Sequence, residues 1–365
     1  MAKVIIVGGG LAGLATAVKL LDAGIAVELI EKRDVLGGKT SSWVDADGDH
    51  IESGLHCYFR CYKELLPFFR HVGVYDNIRW KEHTFLIARP GGHHVRLHFP
   101  KIPAPLNGMV AFTNNDLFTL SEKLSNLLGL ATTWIGTLDY IKTLDNMSFR
   151  EWRVQHRIAE GVERKLWNAI CLSLGFIGAE DMSARPMATI FHYFATVADA
   201  SQFGTLDGSP NERIFKPIAE WIVRHGGTLR TGVKATAVEL EHGGVAGVRL
   251  ADGSLVRGDA YVLAAPVHST RQLLPSSLRS IAYFNNLWKL RSVPTINVQL
   301  WFDRYVTTVD NFWFTSDACF SVFGDLALTS PLQYDHHGGS MVEMCVAPAA
   351  PFWQQSNSEI VEMCR

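Results

Sequence analysis

The chain has 365 residues, 47% of them hydrophobic, with 34 Lys and Arg against 36 Asp and Glu for a formal charge of −2. That length supplies two domains and a large core, and the near-neutral balance excludes the cationic footprint of a nucleic-acid binder. Apolar runs stay below the roughly 18 residues of a spanning helix, and a strand pattern starting almost at Met1 predicts no signal or transit peptide.

Residues 4–7 form an apolar run that enters Gly8-x-Gly10-x-x-Gly13. Leu14, Ala17, Val18 and Leu21 then recur on one helical face, and Gly24 stops the helix where a left-handed cap costs little. A second strand pattern begins at Val27 and closes on Glu31. This strand–helix–strand unit predicts a dinucleotide site. Gly8 permits the tight turn, Gly10 lets the backbone approach a pyrophosphate, and Gly13 allows close helix–strand packing. The helix N-terminus offers N–H groups to phosphate, and Glu31 stands where an acid binds ribose hydroxyls. Such an acid suits NAD and FAD alike. Gly37-Gly38-Lys39 follows, and taken alone it reads as a turn with a solvated lysine.

Six cysteines (57, 61, 171, 319, 345 and 364) show no pairing pattern. Cys57-x-x-x-Cys61 beside His56 lacks a second ligand pair at zinc-like spacing, so buried thiols are expected there and no metal. Residues 61–200 read as mostly helical, with 148–156 and 161–174 as examples. The amphipathic stretch 117–141 has two readings: an element on a membrane surface or floor of an apolar pocket, and a plain pair of core helices. His93-His94 and His336-His337 flank glycines and read as loop histidines.

Downstream, 226–232 leads into alternating residues 235–241, with hairpin turns at Gly243-Gly244 and Asp252-Gly253. The continuous apolar run 259–266 suits a buried parallel strand returning to the first sheet. The nucleotide fold is therefore expected to be split. Residues 1–60 and 205–266 form one domain, and 61–204 with 267–365 form helical and β substrate-binding parts. A simple NAD dehydrogenase is less readily arranged so. Residues 293–302 read as a long strand in a second sheet. Ser356-Asn357-Ser358-Glu359 is a capping box opening a short helix, marginal alone, whose Ile360, Val361 and Met363 lack partners within it.

Several segments together resemble the plant and cyanobacterial phytoene and ζ-carotene desaturases of the flavin amine-oxidase superfamily. They are Gly37-Gly38-Lys39, Gly48-Asp49, Ser53-Gly54-Leu55-His56, Trp80-Lys81-Glu82-His83, residues 103–108, residues 207–213 with Lys216-Pro217, Tyr283-Phe284 and residues 296–303. The resemblance spans nearly the whole chain. It implies an α/β fold: an FAD-binding Rossmann-like domain of the glutathione-reductase type, with an inserted substrate- and membrane-facing domain of mixed sheet and helices. It implies non-covalent FAD, a lipophilic polyene substrate, and a peripheral place on the cytoplasmic side of a membrane. Plastoquinone or a similar quinone would take the electrons; homo-oligomerisation is left open.

Roles carry over residue by residue. Gly8, Gly10, Ala12 and Gly13 match the pyrophosphate contact, Glu31 and Lys32 the adenosine end, and Gly38 with Lys39 the basic loop after the glycine pair. His56, Cys57 and Tyr62 match backbone and aromatic contacts to the flavin, with packing alone as the alternative for Cys57 and Tyr62. Arg213 matches an arginine of the substrate and quinone pocket; an ion pair with Glu212 or Asp207 is its alternative. No catalytic base is expected, because conjugation stabilises an allylic cation. Cys57 stands where an aliphatic residue is usual, and Arg60 where a glycine is usual, which would narrow the channel. The family's later segment is absent, so the chain reads as truncated and is expected to hold FAD poorly and desaturate little. Residues 104–108 and 207–213 lean to 15-cis-phytoene, converted to phytofluene and ζ-carotene. Residues 175–177 and 182–185 with Cys61-Tyr62 lean to 9,9′-di-cis-ζ-carotene. Phytoene is preferred. Another flavin amine oxidase, a squalene-pathway oxidoreductase and an inactive FAD-binding fragment stay as alternatives.

Overall fold

The computed structural model describes residues 2–365, and at Ile135 the backbone alone. Two units emerge, one made of Met1–Ser53, Pro67–Asn77 and Gly208–Ser292, the other of Gly54–Leu66, Ile78–Asp207 and Val293–Arg365.

The first unit is organised by a parallel sheet in the order Thr228–Arg230, Ala26–Ile30, Lys3–Val7, Ala260–Leu263. Ile5, Ile6 and Leu29 of this sheet are fully buried, as is Leu14 of the Leu11–Asp22 helix. Gly24 takes the left-handed conformation predicted for it, at φ 72°. The returning strand pairs with the first strand from Val4↔Ala260 to Val7↔Leu263, so the nucleotide fold is split in sequence. It is an edge strand and only partly covered, not the buried strand its apolar run predicts, because it has one neighbour in the sheet. Beyond it lies an antiparallel trio, Ala235–Glu241, Gly244–Leu250 and Leu255–Val256. His242 and Gly243 both take positive φ, which gives the hairpin a turn matched to strand twist.

The unit boundaries differ from those read off the sequence. Residues 67–77 belong here because His71 pairs with Asp22 at 3.0 Å and sits 5.5 Å from the Trp221 ring. Residues 267–292 join this unit as well, and 54–60 join the other.

The second unit carries a six-stranded sheet in the order Ile296–Trp301, Met341–Val346, Phe320–Asp325, Phe312–Phe314, Thr84–Ala88, His94–His98. Its strands pair antiparallel except Phe312–Phe314 with Thr84–Ala88. The last two strands fall where the sequence predicts mostly helix. Four of the five residues in Thr84–Ala88 are buried, so both faces are covered and no alternation betrays a strand. Gly91 and Gly92, at φ 75° and 78°, turn the chain into its partner.

Helices pack on one face of this sheet around Phe149, Trp152, Trp167 and Phe203. Phe149–Gln155 starts at Ser148 with a reciprocal Glu151 cap, and Glu160–Val162 continues through a π turn at Glu163–Trp167 into Asn168–Gly175. On the opposite face lies Asn357–Cys364, opened by the capping box of Ser356 and Glu359. Ile360 and Cys364 are buried against Val298, Met344 and Val346, with Val361 and Met363 partly covered. The sheet thus supplies the partners that this helix lacks within itself.

Candidate functional site

The glycine turn of the first unit is a backbone device. Gly8 sits at φ +117°, and a Cβ on Gly13 would fall 1.9 Å from the Gly8 carbonyl oxygen. Gly10 differs: a Cβ there would make only ordinary van der Waals contact, with the Gly38 Cα at 3.9 Å and the Gly37 carbonyl oxygen at 4.0 Å. Gly10 is also the N-cap of Leu11–Asp22, and no side chain caps that end. Ala12 is exposed in the first turn. An uncapped helix start behind a glycine with no side chain in the way suits a pyrophosphate.

Glu31 is 8% exposed and already committed on one side. Its Oε2 accepts the Gly9 N–H at 2.7 Å and its Oε1 accepts the Arg33 N–H at 2.9 Å. Each oxygen keeps a lone pair for a ribose hydroxyl. Lys32 beside it is exposed. The glycine pair is not a free surface turn. Gly37 donates its N–H to the Gly9 carbonyl at 2.8 Å, Gly10 and Gly37 form a bridge, and a Cβ on Gly37 would strike the Phe215 ring at 2.5 Å. Lys39 lies exposed in the Gly38–Thr40 turn. Arg33, which sequence reasoning passed over, donates to Ser41 Oγ at 2.8 Å and lies 5.4 Å from the Trp43 ring. The signal for it was the basic pair directly after Glu31. The side-chain-free Gly10, a bare helix start and the tethered Glu31 fit the pyrophosphate and ribose of FAD.

Arg213 lies in the π turn Asn211–Phe215. Its Nη2 donates to Asn77 Oδ1 and its carbonyl accepts from Asn77 Nδ2, both at 2.7 Å. The sequence gives no hint of Asn77, since only the fold brings 67–77 to this position.

His56, Cys57 and Tyr62 belong to the second unit. His56 and Cys57 are half-buried, and Tyr62 is 37% exposed. Gly54, at φ +148°, lies so close to Asn297 that a Cβ would be 3.0 Å from the amide nitrogen, which seats the loop on the Ile296–Trp301 strand. Burial pushes the Cys57 thiol up to about 12, so it stays protonated at neutral pH. Arg60 stacks 4.2 Å over Trp80 and donates to Gln202 at 2.6 Å.

A narrow apolar crevice lies among Leu106–Thr113, Leu120–Ile135 and Ala184–Thr196, walled by Phe99, Phe112, Leu130, Trp134, Phe191 and Phe194. At about 20 Å³ it holds one water, so a long ligand enters only if these side chains part. Rings connect it to the loop: Phe194 to Phe59 at 6.1 Å, then Phe59 to Tyr62 at 5.9 Å. His83 stacks on Phe99 at 4.6 Å and its Nε2 meets Ser201 Oγ at 2.6 Å. Burial pushes its pKa down to about 4, so it is neutral in this apolar setting. On the outer side of Leu120–Ile135, Leu120, Leu124 and Leu128 are exposed along one helical face. The same helix buries Asn126, Leu130 and Thr133, and its Leu130 and Trp134 wall the apolar crevice.

Fold and site define an FAD-dependent oxidoreductase. Residues 11–365 match the family described as flavin containing amine oxidoreductase. The chain is 40% identical over 391 positions to a ζ-carotene desaturase of Synechocystis sp., covering 98% of this chain and 80% of that one. It is 38% identical over 366 positions to a 15-cis-phytoene desaturase of Capsicum annuum, covering 99% and 63% respectively. An oxidoreductase from Methanosarcina mazei shares the fold at a TM-score of 0.76 with 17% identity, over 99% of this chain and 82% of that one. A putrescine oxidase does so at 0.69 with 17% identity, over 100% and 80%. The chain belongs to the flavin-containing amine oxidoreductases and, within them, to the carotene desaturases, which act on CH–CH bonds.

Proposed function

We propose that the chain desaturates a linear carotene, with 9,9′-di-cis-ζ-carotene ahead of 15-cis-phytoene. This reverses the order that the short motifs favour. It is supported by the higher identity and fuller length match to the Synechocystis enzyme. The observation that carries the polyene reading is the unbroken aromatic route from the crevice through Phe194 and Phe59 to Tyr62.

The reaction removes a hydride and a proton from adjacent carbons, and bound FAD supplies the hydride acceptor. The chain's own part is to bind, dry and align the polyene. Neutral His83 and protonated Cys57 leave no formal charge at these two positions. The cationic character that develops is spread by the polyene itself. Two electrons and two protons in all end on a quinone, which becomes a quinol, with Arg213 at its pocket. Leu120, Leu124 and Leu128 rest on the membrane that delivers the substrate. Among the described residues no helix is long and apolar enough to cross a membrane, so contact would be peripheral.

The test supplies FAD-loaded protein with vesicles carrying ζ-carotene or phytoene and a benzoquinone, and follows the lengthening chromophore. Turnover of ζ-carotene several times faster than phytoene is expected. Turnover of an amine with neither carotene changed would sink the reading. Arg213→Ala should lower turnover while flavin content holds. Equal loss of fold and flavin would instead make the Asn77 pair purely structural.

A further inference from the structure

Two thiols in the second unit lie side by side and have no part in the chemistry above. Cys319 leads into the Phe320–Asp325 strand, and Cys364 ends the Asn357–Cys364 helix. Their sulfur atoms are 3.9 Å apart, and the Cys319 sulfur lies 3.6 Å from the Met363 carbonyl oxygen. We infer that Cys319 and Cys364 are an oxidation-sensitive pair that closes to a disulfide and fastens this helix to the sheet.

A disulfide is about 2.05 Å long, so the sulfurs must approach by roughly 1.9 Å, within reach of side-chain rotation and a small helix shift. Access exists. Cys364 lines a 630 Å³ cleft together with Phe320, Phe323, Val342 and Met344, so a small disulfide can lodge beside the pair. Cys319 is half-buried and Cys364 buried. Burial, with Cys319 alongside, pushes the Cys364 thiol up to about 12. Cys319 is the more open of the two and is the first to react.

The oxidant is a low-molecular-weight disulfide. The Cys319 thiolate attacks one of its sulfurs, forming a mixed disulfide and releasing one small thiol. Cys364 then gives up its proton and displaces the second small thiol. In total two protein thiols lose two electrons and two protons, and the small disulfide gains them. Because both attacking sulfurs must be thiolates, closure is slow at neutral pH and accelerates in alkali. The cross-link closes a loop of about 46 residues and stabilises chiefly by restricting the unfolded chain.

The test exposes the full chain to oxidised glutathione at about pH 9, alkylates what remains free, and measures intact mass and melting temperature. No Lys or Arg separates Tyr305 from Cys364, so trypsin leaves both cysteines on one peptide and cleavage after Glu343 and Glu359 is needed to resolve the link. The expected result is two fewer alkyl groups than on the reduced chain, a cross-link joining the peptides of Cys319 and Cys364, and a melting temperature raised by roughly 5 °C. Cys319→Ser, at the more exposed position, should abolish all three, whereas Cys345→Ser should abolish none. Full alkylation of both thiols after oxidation overturns the pairing. A link formed without any rise in melting temperature overturns the fastening role.

Discussion

One added methyl at Gly13 would sit 1.9 Å from a carbonyl oxygen in the first unit, whereas the crevice of the second unit is walled by side chains that could each lose or gain a carbon. The nucleotide site is made of backbone: turn geometry, amide groups and a helix end, with Glu31 as tether. The crevice is made of rings drawn from residues between 99 and 195. A backbone site tolerates almost no change at its glycines. An aromatic site trades shape for shape, because volume-conserving apolar swaps cost little.

The sharpest way to break that contrast is at the glycines. Gly13→Val should cost about 4 kcal/mol or more and leave no folded, yellow protein. Gly10→Ala should fold, since the new Cβ meets nothing closer than 3.9 Å, yet bind FAD at least tenfold more weakly by filling the phosphate space. Circular dichroism with flavin absorbance separates the two, and a folded Gly13→Val protein that retains flavin would refute the backbone account.

Glu31→Gln should come next. It weakens the charge-assisted bond from Gly9 and the ribose contact together, at about 1.5–3 kcal/mol, which is roughly 10- to 150-fold in FAD affinity by titration. Unchanged affinity would show that the carboxylate only braces the turn.

The second unit should respond to acid through His83. Its folded pKa of about 4 lies below the ordinary value of about 6.5, so below that value the unfolded chain binds the extra proton. Stability from this group is present above about pH 6.5 and is lost as pH falls towards 4, by about 2 kcal/mol after allowance for partial exposure. Urea unfolding at about pH 7 and pH 4.5 should show the loss, and His83→Gln should flatten it.

The smallest effect on the fold belongs to the leucine face. Replacing Leu120, Leu124 and Leu128 by Ser should change stability by only about 0.5 kcal/mol, because all three are exposed. Vesicle co-sedimentation should nonetheless fall about tenfold. Unaltered sedimentation would remove the membrane role from this face.

The first forty residues were legible because each feature there is local. A turn needs its glycines at fixed spacing, and a helix needs its stripe. The split fold was legible too, through the apolar run at 259–266. What sequence could not show were contacts made by topology. Arg213 meets Asn77 across more than a hundred residues, and Phe215 presses on Gly37. The Thr84–Ala88 strand was hidden for a different reason: burial on both faces erases the alternation that marks strands. The crevice draws its rings from one strand end and three helices, and no spacing rule joins Phe99 to Phe194.

The split sheet also bears on how this protein is made. Lys3–Val7 and Ala26–Ile30 leave the ribosome well before their outer neighbours, Thr228–Arg230 and Ala260–Leu263. At about 5–20 residues per second, the wait for the last of these strands is on the order of 10–50 s. Throughout that interval the nascent chain shows a pair of apolar strands with open edges, while the second unit's helices are already being completed. Completion of this sheet therefore lags far behind the synthesis of its two central strands, and those strands are the clearest surface for a nascent-chain chaperone.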